Sequence, residues 1–197
     1  MPQVKPTALR FYGSFNVVVA GITIVNSSQC HLKFDSCQGV MVHDVTISSP
    51  ENSLNTDGIH LQNSKDGGLG LVQDERFSNI QVSEVQTPII IDQFYCDERT
   101  CSNQTSAVAV SGVQYENIRG TFTIKPVHFA CSDSSPCSGI TLTGVQLRPV
   151  QIPHYRLNDP FCWQAFGELY TPTVPPIACL HLGKPAGNNL QSYHDLC

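Results

Sequence analysis

The chain has 197 residues, of which 41% are hydrophobic and 14% charged, and a formal net charge of −5. That length supports one substantial domain with its own core, and the composition is too apolar and too balanced for a disordered chain. The acidic balance argues against a nucleic-acid binder, which needs a basic footprint, and no apolar run approaches the roughly 20 residues of a membrane-spanning helix.

The first residues, Met-Pro-Gln-Val-Lys-Pro, are not followed by the apolar stretch of a signal peptide. Short β-branched runs then recur. Val17-Val18-Val19 and Ile22-Thr23-Ile24 form one pair, and Val40-Met41-Val42 and Val45-Thr46-Ile47 repeat it 23 residues on. Ile59-His60-Leu61, Ile80-Gln81-Val82, Ile89-Ile90-Ile91, Val108-Ala109-Val110, Tyr115–Ile118 and Ile140-Thr141-Leu142 follow, separated by Asn, Ser, Gly and Asp. Helical spacing of apolar residues is absent. Short strands at a repeat of about 20–30 residues predict a solenoid, in which each coil buries one strand face against its neighbours. Stacked Asn side chains would ladder along its turns. The rival is a β-sandwich, which needs hairpins, yet Asp57-Gly58 is one of few two-residue hairpin candidates. The expected fold is therefore all-β, a right-handed parallel β-helix over residues 1–147. Residues 148–197, with Pro149, Pro153, Pro160, Pro172, Pro175, Pro176 and Pro185, are expected to form an irregular wrap. Gly67-Gly68-Leu69-Gly70 lacks the Lys-Ser/Thr ending of a phosphate loop and reads as a turn.

The nine cysteines include two close pairs, Cys96 with Cys101 and Cys131 with Cys137, and sequons begin at Asn26 and Asn103. Both features favour an oxidising, secreted setting. Zinc would need short knuckle spacings in matched pairs, which are missing, so no metal or cofactor is expected. An odd count leaves at least one thiol over.

Asp57 sits in the turn Asn55-Thr56-Asp57-Gly58 at the mouth of a predicted strand. Taken alone, such an aspartate is a turn former capping its own backbone. The longer segment Ser49-Pro50-Glu51-Asn52-Ser53-Leu54-Asn55-Thr56-Asp57-Gly58-Ile59 resembles plant polygalacturonases, as do Leu9-Arg10-Phe11-Tyr12, Asn26–His31 and Ile91-Asp92-Gln93-Phe94-Tyr95-Cys96. That resemblance implies a parallel β-helix that hydrolyses α-1,4-linked galacturonic acid with inversion. Such chemistry needs a carboxylic acid for the leaving oxygen and a carboxylate, or a pair, to activate water. It implies Asp57 as part of the water-activating pair and Asn55 and Tyr95 as substrate-binding residues.

The resemblance also implies motifs that this sequence lacks: an Asp-Asp pair, Gly-His-Gly and Arg-Ile-Lys. Thr123-Ile124-Lys125 lies too late and has no arginine. In the family these motifs fall between the Asn-Thr-Asp and Gln-Phe-Tyr segments, so an internal deletion is expected near residues 66–67. His60 is a weak candidate to support Asp57, and Asp92 a candidate second carboxylate if the coils close neatly over the junction. The resulting expectation is a polygalacturonase-family protein that is deficient in catalysis. It would be a secreted, cell-wall monomer with pectin or polygalacturonic acid as partner and no nucleic acid or membrane. The alternatives are a non-catalytic β-helix that binds pectin or a cell-wall partner, and a product of mis-splicing or of wrongly drawn exon boundaries.

Overall fold

A computed structural model describes residues 6–50, 56–62, 71–94, 109–150 and 156–185. The strands in chain order are β1 (Leu9–Tyr12), β2 (Val18–Ala20), β3 (Thr23–Val25), β4 (Cys30–Asp35), β5 (Met41–Ser48), β6 (Asp57–Gln62), β7 (Leu71–Val85) and β8 (Ile89–Asp92). After these come β9 (Ala109–Phe122), β10 (Val127–Ala130), β11 (Cys137–Thr143), β12 (Gln146–Pro149), β13 (Phe161–Trp163), β14 (Ala165–Leu169) and β15 (His181–Leu182). Among the described residues every strand pairing is parallel. One sheet has the order β1-β4-β6-β8-β10-β13; the other has nine strands, in the order β15-β14-β11-β9-β7-β5-β2 with β12 also beside β9 and β3 beside β5. Successive coils thus stack strand on strand, which is the parallel β-helix read from the repeat; a sandwich of hairpins would be antiparallel.

The 23-residue shift is realised literally, with Val18 beside Met41 and Thr23 beside Thr46. The core lies between the sheets. Leu32, Ile59, Ile89 and Val127 share one inward column, and Phe34, Leu61, Ile91 and Phe129 the next. Aromatic rings bridge the interior: Phe11 on Phe34 at 5.3 Å, Phe77 on Tyr115 at 5.2 Å and Tyr115 on Phe129 at 6.3 Å.

The corners explain the Asn, Asp and Gly between strands. Asp44, Asn79 and Asn117 have φ of 53°, 53° and 52°, a left-handed conformation these residues tolerate. They ladder from coil to coil: Asn79 Nδ2 donates to Asp44 Oδ1 at 3.2 Å and Asn117 Nδ2 to Asn79 Oδ1 at 2.8 Å. The proline-rich segment expected to be irregular contributes the end of β12 and the short strands β13, β14 and β15, which extend both sheets, and Val174 bridges to Gln146; the rest of its described residues lie outside strands. Disulfides join Cys131 to Cys137 and Cys162 to Cys179, whereas Cys30 and Cys37 are buried free thiols. Cys96, Cys101 and Asn103 lie outside the described residues.

Candidate functional site

Asp57 opens β6 and is pinned from both neighbouring coils. Its N–H donates to the Gln29 carbonyl at 3.1 Å, and the next N–H, of Gly58, donates to the Thr87 carbonyl at 3.0 Å. Gly58 is required by this contact, because a Cβ there would lie 2.5 Å from the Pro88 carbonyl oxygen. Buried His31 adds a third tie: its Nδ1 is 2.7 Å from the Asp57 carbonyl oxygen, and its Nε2 is 3.2 Å from the Ser49 hydroxyl. Burial pushes the His31 pKa down. The neutral ring carries one N–H, so it donates either from Nδ1 to the Asp57 carbonyl, accepting from Ser49 at Nε2, or from Nε2 to the Ser48 carbonyl, which is also 3.2 Å away.

The Asp57 carboxyl is half-buried, and burial pushes its pKa up to about 7. Lys125 pulls it back, and Asp92 adds a smaller push upward. Across much of the mildly acidic range this group therefore carries a proton. In its protonated form it can give a proton up, and in its ionised form it can take one from water. Cys30 is its register neighbour on β4. Burial first, and then the Asp57 charge, hold Cys30 as a thiol, so it is not a nucleophile.

The structure brings Lys125 to Asp57, which the linear sequence does not reveal. Val127 lies in register with Ile89, and Ile89 with Ile59. Counting back two residues sets Lys125 and Asp57 on either side of Thr87. Lys125 Nζ is 3.4 Å from His128 Nδ1 and 5.8 Å from the centre of the Phe161 ring. Burial and the Lys125 charge push the His128 pKa down to about 4, so His128 is neutral and accepts from the ammonium. The one signal in the sequence is a basic residue opening a short apolar run, Lys125-Pro126-Val127. The coil loops differ in length, so counting residues along the chain does not give the register.

His60 lies two residues past Gly58 on β6, opposite Lys33 and Ile90, and is only 4% exposed. Asp92 is on the neighbouring strand, as the coil-closure expectation required, but it pairs with Gln62. Gln62 is five residues along β6 from Asp57, a rise of about 16 Å. Asp92 therefore acts on Asp57 through its field and is not its register partner. Asp35 in the same outer column is fully buried, paired to Arg10 and accepting from Gln62 Nε2 at 3.1 Å. Asn55 and Tyr95 lie outside the described residues. Among the described residues no cluster of three metal-ligating side chains is present.

The sequence profile of glycosyl hydrolases family 28 matches residues 2–67 and 65–152. A polygalacturonase of Persea americana is 31% identical over 218 residues, covering 72% of this chain and 47% of the relative. A polygalacturonase of Malus domestica is 30% identical over 220 residues, covering 73% and 48%. One of Juniperus ashei is 28% identical over 256 residues, covering 91% and 50%. The chain spans about half the length of the curated relatives it matches. Since 72% of 197 residues is about 142, roughly 76 of the 218 positions aligned with the Persea protein are filled only in that relative.

Proposed function

The chain belongs to glycosyl hydrolases family 28, and from that premise we propose that it is a β-helix directed at the galacturonan of pectin, with little hydrolytic turnover of its own. The observation that carries this reading is the state of Asp57. We read Asp57 as the family's Asn-Thr-Asp aspartate from its sequence context; among the described residues its register partner on β4 is Cys30, not a second carboxyl, and burial raises its pKa to about 7. Inverting hydrolysis needs an acid and a base flanking one bond, with carboxyls about 6.5–9.5 Å apart. The sequence has no Asp-Asp pair to supply the rest. General acid catalysis alone contributes about 10²–10⁴-fold, so losing the acid–base partnership leaves little rate.

The reason, in this reading, is a missing central block. The two stretches of family match meet at residues 65–67. The register steps Leu9–Leu32–Ile59–Ile89 are 23, 27 and 30 residues, so roughly 76 unmatched positions amount to about three coils. Removing whole coils keeps a solenoid's stacking intact, and β7 pairs in parallel with β5 before it and with β9 after it, with one register shift between Val82 and Val85. Secretion, a cell-wall setting and a monomeric state follow from the same family reading.

The test is release of reducing ends from polygalacturonic acid between pH 4 and 7, for the chain and for Asp57→Asn. Both are expected to stay at background. Release by the chain that disappears in the variant would restore an active hydrolase.

A further inference from the structure

The outer face of the six-stranded sheet carries an unexplained feature at its far end. Phe161 and Trp163 are 41% and 50% exposed. They flank Cys162, which packs against the core and is bonded to Cys179. Residues two apart on a strand point to the same side, so both rings face outward with their strand pinned from behind. Beside them on β10, His128 is in register with Phe161, and the small Ala130 with Trp163. The His128 ring stacks on Phe161 at 4.8 Å, and the Lys125 ammonium stands 5.8 Å from the Phe161 ring centre. Exposed aromatic surface is costly in water unless something covers it.

We propose that Lys125, His128, Phe161 and Trp163 form a binding subsite for a uronate-bearing oligosaccharide, with Lys125 taking the sugar carboxylate and the two aromatic rings taking the C–H face of a pyranose. The chemistry is complementary on both counts. The ammonium is a point charge with three donors; the neutral His128 occupies one and leaves the others for an anion. The flat rings offer apolar area that is already ordered, so binding costs little conformational entropy. Within the subsite Lys125 lies two strands from Asp57 and Phe161 three, about 10 and 14 Å across the strands at the spacing of a sheet, with Phe161 three residues further along in register. A short oligosaccharide laid across the strands would therefore meet both. This inference rests on the pectin-directed reading above and adds the residues that would replace the absent Arg-Ile-Lys clamp.

Trp163 is the single tryptophan of the chain, so its emission reports on this subsite alone. The experiment titrates the chain with trigalacturonate and with its methyl ester, following tryptophan emission and heat together. The expected result is a saturable change in Trp163 emission that tracks the heat. Lys125→Met, or methyl esterification of the sugar, should weaken binding about tenfold or more, the loss of one charge-assisted contact. Phe161→Ala should weaken it further, and circular dichroism of each variant shows that the strands persist. If heat is released while Trp163 emission stays unchanged, or if Lys125→Met binds like the parent chain, the subsite is overturned and the pectin-directed reading stands. If the parent chain gives neither heat nor emission change with the acidic sugar, that reading falls and the subsite falls with it.

Discussion

The two sheets of this solenoid are built from the same coils yet handle polar residues in opposite ways. On the nine-stranded sheet, the longer strands intersperse buried with exposed or half-buried positions; β5 runs from exposed Met41 through buried Val42, Val45 and Ile47 with polar residues turned out to solvent. On the six-stranded sheet, β4 is buried at all six positions of Cys-His-Leu-Lys-Phe-Asp, and β6 at five of six. His31, Lys33, Asp35, His60 and Gln62 are thus withdrawn from water on the sheet's outer side. Burying charge costs several kcal/mol unless it is paired. One sheet is therefore scaffold, and the other concentrates polar groups where a low dielectric sharpens them.

The scaffold side breaks most easily at its closest coil contact. Gly120 has φ of 134°, and a Cβ there would lie 1.7 Å from the Val82 carbonyl oxygen. Gly120→Ala should cost about 4 kcal/mol or more or prevent folding, as read by denaturant unfolding; a loss under about 1 kcal/mol would refute the tight stacking of β7 on β9.

Glu75 is the exception on the scaffold side, and it sharpens the contrast. It is fully buried, with no hydrogen bond of normal geometry to either carboxylate oxygen, although the Val40 amide lies near enough to offset part of the cost. Burial, and to a lesser degree Asp74, push its pKa up to about 8. A raised carboxyl pKa means that the folded chain holds the proton more tightly. Its stability is then full below about pH 4.5 and is lost as pH rises towards 8. Glu75→Gln should raise stability at pH 8 by roughly 2–4 kcal/mol and leave it nearly unchanged at pH 4. Thermal unfolding at the two pH values reads this, and an equal effect at both would contradict the assignment.

The smallest effect is expected at the corner. Asn79→Ala removes two ladder hydrogen bonds at an exposed site and places alanine in a left-handed conformation, a loss of about 1–2 kcal/mol measurable by denaturant midpoint. Asn79→Gly should recover part of it, because glycine accepts that φ.

These cases also mark what the sequence discloses. The β-branched runs and the 23-residue shift give the solenoid because inward residues must recur at each coil, and the stacked Asn corners follow from left-handed turns. Glu75 is hidden. Gln73-Asp74-Glu75-Arg76 reads as a solvated polar run, but the φ of 58° at Asp74 turns the chain and points Glu75 inward. β4 is hidden because its Cys-His-Leu-Lys-Phe-Asp mixture has no β-branched signal. For the candidate site, Asp57 is legible from its turn and its family context. Lys125 is masked by its place in the chain, because coil lengths of 23, 27 and 30 residues and more make register a property of the stack.

The central claim is that this face engages galacturonan without cleaving it. Proton NMR of trigalacturonate mixed with the chain at pH 5 tests it most directly. The predicted result is broadened sugar signals, which report binding, with no new reducing-end anomeric signals over days. New anomeric signals that grow with time and appear first as the inverted anomer would contradict it.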